Sequence, residues 1–141
     1  MTEENCLDRF IKAQQNDYAT ALSEIKNGKK RSHWMWYIFP QLRGLGMSET
    51  ARFYGIQGKQ EAVAYIESDI LGKRLIEISE TLAALPGDDA HQVFGSPDDI
   101  KLKSCMTLFA SLPNANPVFE QVLSKFYDGE KDQKTLQLIK A

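Results

Sequence analysis

Eleven consecutive residues, Arg31-Ser32-His33-Trp34-Met35-Trp36-Tyr37-Ile38-Phe39-Pro40-Gln41, hold both tryptophans of the chain, one of its two histidines, a tyrosine and a phenylalanine. Each polar member brings its own chemistry. Arg31 offers a rigid fork that matches phosphate or carboxylate, and Lys29 and Lys30 just before it add point charge. His33 titrates near neutrality in its unperturbed state, so it can accept or donate a proton. Trp34 and Trp36 can bury a large apolar face or stack on a planar group, and each indole N–H then needs an acceptor. Gln41 can fix the polar edge of a ligand. Against this stands a plainer reading, in which the aromatics plug the core and Lys29 to Arg31 form a solvated turn between helices.

Other templates fit less well. Gly44-Leu45-Gly46 precedes the helix start at Ser48, where free N–H groups can attract an anion. It lacks the third glycine and the βαβ context of a dinucleotide fingerprint, so a tight turn is the simpler role. Gly58-Lys59 is followed by Gln60, which rules out a P-loop. Two histidines and two distant cysteines, Cys6 and Cys105, give no zinc spacing, and both cysteines read as small apolar fillers. Asp98 and Asp99 are explained by helix capping. Lys103 and Ser104 are adjacent, about 100° apart around a helix, so they do not form a catalytic pair.

The whole chain sets the frame. At 141 residues it is the length of one domain, spanning 1–141. A chain of this length buries about two-thirds of its unfolded surface. It is 43% hydrophobic and 26% charged, with a net charge of −2. That balance argues against a dedicated nucleic-acid binder, although Lys26, Lys29, Lys30 and Arg31 form a local basic run. No apolar stretch reaches the roughly 20 residues of a membrane helix. The acidic start, Met1-Thr2-Glu3-Glu4-Asn5, is wrong for a secretory signal, so a cytoplasmic location is expected.

Helical periodicity dominates. Leu7, Phe10, Ile11, Gln14, Tyr18, Ala21, Leu22 and Ile25 share one face of a first helix, capped by Thr2 or Asn5 and ended by Gly28. Its other face, with Asp8, Lys12, Gln15 and Glu24, should be wet. Residues 34–39 then read as a short helix bent near Pro40, since no second strand pattern exists to pair with them. Ser48 caps a short helix closed by Gly55, and Gln60 to Glu67 form another with Ala62, Val63 and Ile66 inward. Ser68-Asp69 start a longer one through Leu71, Leu75, Ile78, Leu82 and Leu85, which Pro86-Gly87 stop. Ser96-Pro97-Asp98-Asp99 reads as a capping serine followed by proline in the first turn. Leu102, Cys105, Met106, Phe109 and Leu112 form that helix's apolar face. Asn116-Pro117 and Asp132 start the last two. The expectation is an all-α single domain of seven or eight helices.

Four segments together resemble domain-of-unknown-function family 1810, whose bacterial members often carry the label calpastatin. They are Arg31 to Gln41, Gly44-Leu-Gly46-x-Ser48, Phe53-Tyr-Gly-Ile56 and Lys101-Leu-Lys-Ser-Cys-Met-Thr-Leu-Phe109. The resemblance runs from about Phe10 to Leu136. It implies an all-helical domain and no particular activity. The family's motif falls here on Arg31, Ser32, His33, Trp34, Trp36, Pro40, Gln41, Gly44, Gly46, Lys101, Ser104, Thr107 and Phe109. Cys105 stands where the motif more usually has a second serine. Polar motif residues in two distant segments imply that the helix after Ser96 lies against the Arg31–Gln41 stretch.

The functional expectation is a pocket for an anionic, nucleotide-like or ADP-ribose-like small molecule. In it Arg31 and Lys101 neutralise charge, Trp34 or Trp36 stacks, and His33, Gln41 and Ser104 complete the lining. Hydrolysis with His33 as general base is an extension of that reading. The alternative is a protein-interaction module built on an exposed Trp34/Trp36 strip. No cofactor is assigned.

Overall fold

The caps written into the sequence mark where the chain turns. In the computed structural model, which describes residues 3–140 and side chains from residue 7 onward, α1 spans Glu3–Lys26. The capping expected of Thr2 or Asn5 and the filler role of Cys6 fall outside that description. Gly28, at φ +76°, ends α1 as expected. The short α2 (Met35–Ile38) follows, and Phe39 and Pro40 close it in buried surroundings. Ser48 caps α3 (Glu49–Tyr54) by accepting the Ala51 N–H at 3.1 Å. Then come α4 (Lys59–Glu67) and α5 (Leu71–Ala83), with Ser68 Oγ accepting the N–H groups of Ile70 and Leu71 between them.

Asp89 accepts the Gln92 N–H and opens α6 (Ala90–Phe94), a helix too short for periodicity to reveal. It brings the number to nine among the described residues, one more than the upper expectation. The remaining helices are α7 (Asp98–Ala110), α8 (Pro117–Tyr127) and α9 (Gln133–Lys140). Asn116 and Asp132 cap the last two with side-chain acceptors for Val118 and Thr135.

Two local expectations are corrected. Ser96 does not cap α7: the Ser96–Pro97 bond is cis, Pro97 occupies the cap position, and the Asp99 N–H bonds the Gly95 carbonyl at 2.9 Å. Only three residues separate α6 from α7, so the end of α6 itself supplies that acceptor. In α4 the buried residues are Glu61, Ala62 and Tyr65, while Val63 and Ile66 are half-buried. Burial of Glu61 becomes tolerable because Arg9 forms an ion pair with it at 2.7 Å.

The fold is all-α, with α7 at its centre. From Ser104 to Phe109 every residue of α7 is buried, because α4, α6, α8 and α9 all pack against it. A helix apolar on every side is one the rest of the domain encloses. Its two inward hydroxyls are satisfied within the helix: Ser104 Oγ donates to the Ile100 carbonyl and Thr107 Oγ1 to that of Lys103. A line of rings runs through the core, from Phe10 to Tyr65 at 5.1 Å, then Phe109 at 5.5 Å and Phe119 at 5.8 Å. Cys105 is buried beside it, and burial pushes its thiol well up. Gln14, buried on α1, donates to the Tyr37 carbonyl at 2.7 Å and to the Tyr65 hydroxyl at 3.1 Å, fastening α1 to α2 and α4.

The approach of α5 to α4 requires a glycine. A Cβ on Gly72 would sit 2.0 Å from the Ile66 carbonyl oxygen, a backbone atom that cannot swing aside. Gly72→Ala should therefore destabilise the domain by about 1–3 kcal/mol through overpacking, although alanine is the better helix former. Urea denaturation reads this directly; an unchanged or higher midpoint would refute it.

Candidate functional site

After Gly28 the chain doubles back along the end of α1, and residues 31–34 cross Glu24. This glutamate, expected to be wet, is instead the anchor of the returning segment. Its Oε1 accepts the backbone N–H of Arg31 at 2.7 Å, that of Ser32 at 3.0 Å and the Trp34 indole N–H at 2.9 Å. Its Oε2 accepts the Ser32 hydroxyl at 2.6 Å. Burial opposes the charge, but the hydrogen bonds, led by that from the Ser32 hydroxyl, outweigh it and hold the carboxyl down at about 2.

Trp34 is thereby placed in the core, 1% exposed, with Phe39 and Phe94 at 6.1 and 6.5 Å. Lys30 lies over its ring at 5.1 Å and ion-pairs with Asp98 at 3.0 Å. Lys30 is thus no solvated turn residue; its side chain is 9% exposed, whereas Lys29 faces solvent. The other oxygen of Asp98 is 3.7 Å from Lys101, whose ammonium stands 5.5 Å from the Trp36 ring centre. One carboxylate thus joins two lysines, each on the face of a different tryptophan. These contacts hold the start of α7 against the Arg31–Gln41 stretch, as the family resemblance implied.

The seven expected site residues divide into three groups. Trp36, Gln41 and Lys101 line one crevice between α2, α3 and α7, together with Tyr54 and Ala51. Arg31 and His33 are exposed outside that crevice. The Tyr37 hydroxyl reaches the His33 carbonyl at 3.4 Å and also donates to Asp17; burial and that carboxylate push the phenol up. Trp34 and Ser104 are buried, with their polar atoms already bonded to Glu24 and Ile100. The burial of Trp34 also leaves Trp36 as the only indole with exposed surface, so no double-tryptophan strip faces solvent.

The crevice is tight. Its cavity volume is about 10 Å³, room for about one water, with Lys101 over the Trp36 ring. Among the described residues no three of His, Cys, Asp and Glu converge to hold a metal ion. No described helix is long and apolar enough to cross a membrane.

Residues 4–139 match the family described as "Protein of unknown function (DUF1810)". The chain belongs to that family. It is also similar to the conserved hypothetical protein Rv1873 from Mycobacterium tuberculosis, known from a crystal structure. The two are 45% identical over 96% of each chain, with a TM-score of 0.93. No curated protein matches the chain. The same fold is thus found in a solved protein that is 45% identical, and neither description carries an activity.

Sequence reading missed Glu24 and Lys30, because nothing local in α1 or the turn marks an oxygen or ammonium that a returning segment will meet. The Glu24 anchor makes a pH-dependent prediction. Its folded-state value lies below the usual 4.5, so its stabilisation is complete above 4.5 and is lost as pH falls through about 2. Glu24→Gln should lower stability at pH 7 by about 1–3 kcal/mol. The variant should also show a shallower fall between pH 4.5 and 2. Urea melts at pH 7, 4 and 3 check both; an acid limb parallel to the parent's would refute the anchor's charge.

Proposed function

We propose that the chain binds a small anionic molecule at the α2–α3–α7 crevice, with a nucleotide-like ligand the class that its side chains suit. The observation that carries this reading is the Lys101 ammonium held 5.5 Å over the partly exposed Trp36 ring, with Gln41 lining the same crevice. Lys101 is poised to move. An exposed cation–π contact is worth about 0.5–1 kcal/mol, and a loose surface ion pair about 0–1 kcal/mol. An entering anion offers Lys101 a closer partner than Asp98 at 3.7 Å, and the uncovered indole face then takes a planar group. Gln41 supplies a donor and an acceptor for that group's edge.

Hydrolysis draws no support from this arrangement, since His33 lies outside the crevice. The protein-interaction reading keeps only Trp36 of its two tryptophans, because Trp34 is 1% exposed.

Fluorescence can test the proposal because the two indoles differ so sharply. Titration with ADP-ribose, AMP or inorganic phosphate should change the emission of Trp36, and Trp36→Phe should remove the change while Trp34 stays silent. Lys101→Met should weaken binding about tenfold or more, as expected for losing a charged hydrogen bond of about 1.5–3 kcal/mol. A folded protein whose emission and thermal midpoint ignore all three compounds would sink the proposal.

A further inference from the structure

A wider opening lies on the other side of α3, a groove of about 700 Å³ bounded by α1, α3 and the segment after Pro40. It shares no lining residue with the crevice. Lys12 comes from α1, Arg43 from the extended segment that pairs Leu42 with Ile56, and Arg52 from α3. The side chains of these three cations are exposed and make no hydrogen bond or ion pair with a described residue, unlike Lys30, Lys101 and Lys103. Phe53 lines the same groove with 59% of its surface exposed, braced edge-on by Tyr54 at 4.8 Å. Gln57 and two carboxylates, Asp8 and Glu49, also line it, and neither carboxylate pairs with those cations.

Arg9 gives the groove a rigid wall. Its guanidinium donates to both Glu61 oxygens and to the carbonyls of Phe53 and Gly55, fixing the end of α3 to α1 and α4. Free cations from three segments, one exposed ring and two acceptors thus surround a volume within the 300–1,000 Å³ of small-molecule sites. Two guanidinium forks suit phosphate oxygens, an exposed phenyl face suits a base, and carboxylates accept from ribose hydroxyls or a base amino group. With three cations against two carboxylates the net charge is small, which favours a ligand offering donors as well as phosphates over bare polyphosphate.

We infer that this groove is a second ligand site, taking a ribonucleoside phosphate with its phosphates on Arg43, Arg52 and Lys12 and its base on Phe53. The inference is independent of the crevice.

Calorimetric titration at low ionic strength with ADP, pyrophosphate and adenosine tests it. ADP should bind more tightly than either fragment. The double variant Arg43→Ala, Arg52→Ala should lose at least tenfold for ADP and for pyrophosphate. Phe53→Ala should weaken ADP several-fold and leave pyrophosphate unchanged. All three side chains are exposed, and a retained thermal midpoint establishes that each variant is folded. In Lys101→Met, which weakens the crevice, ADP should still bind saturably, and adding Arg43→Ala and Arg52→Ala to that variant should remove the remaining binding. No saturable heat from ADP up to millimolar concentration, or ADP binding lost in Lys101→Met yet kept in the double arginine variant, would overturn the inference.

Discussion

The Glu24 carboxylate is the constraint on which the placement of the Arg31–Gln41 stretch depends. Four hydrogen bonds from three consecutive-to-near residues converge on its two oxygens, so the chain after Gly28 has a single way to return. One of those donors is the indole of Trp34, a side chain whose burial is worth about 4–6 kcal/mol by area and whose N–H would cost about 1–3 kcal/mol if left unpaired. The apolar and polar demands are met at one point: the ring enters the core among Phe39 and Phe94, and its nitrogen faces the carboxylate. Lys30 then covers the ring and reaches Asp98, which carries the constraint onward to α7.

What was legible in the sequence is what local chemistry dictates. Ser48, Asn116 and Asp132 could be read as caps because the donor that each satisfies is only two or three residues away. The apolar positions of α5 repeat cleanly because only one side of that helix meets the core. Long-range pairs were illegible for the same reason. Nothing near Glu61 announces Arg9, 52 residues earlier, and a carboxylate on α4 reads as surface until that partner appears. Ser96 failed as a cap because α6, itself too short to predict, had already supplied an acceptor through Gly95.

The candidate site shows the same division. A four-residue helix turns its side chains through about 100° per residue, so neighbours in the motif cannot all face one cavity. Met35 and Ile38 go inward, and Trp36 and Tyr37 keep part of their surface outside. Residue type alone could not separate Trp34 from Trp36; the acceptor on α1 does so. Ser104 is similar: a hydroxyl bonded back to the carbonyl four residues earlier needs no external partner and sits among apolar neighbours at small cost.

The short helix α3 ties the crevice and the groove to one packing event. Its approach to the preceding segment is closer than any side chain would allow: a Cβ on Gly46 would meet that of Ala51 at 2.6 Å, and a Cβ on Gly55 would meet Arg43 Cα at 2.7 Å. The backbone pairing of Arg43 N–H with the Ile56 carbonyl, and of Ile56 N–H with that of Gln41, fixes the register of that contact. Within that one register Gln41 and Tyr54 line the crevice, while Arg43, Arg52 and Phe53 line the groove. Gly46, read as a tight-turn residue, and Gly55, read as the end of a helix, thus do more than turn or end the chain. They allow two segments to lie close enough that the residues between them are divided between two separate surfaces.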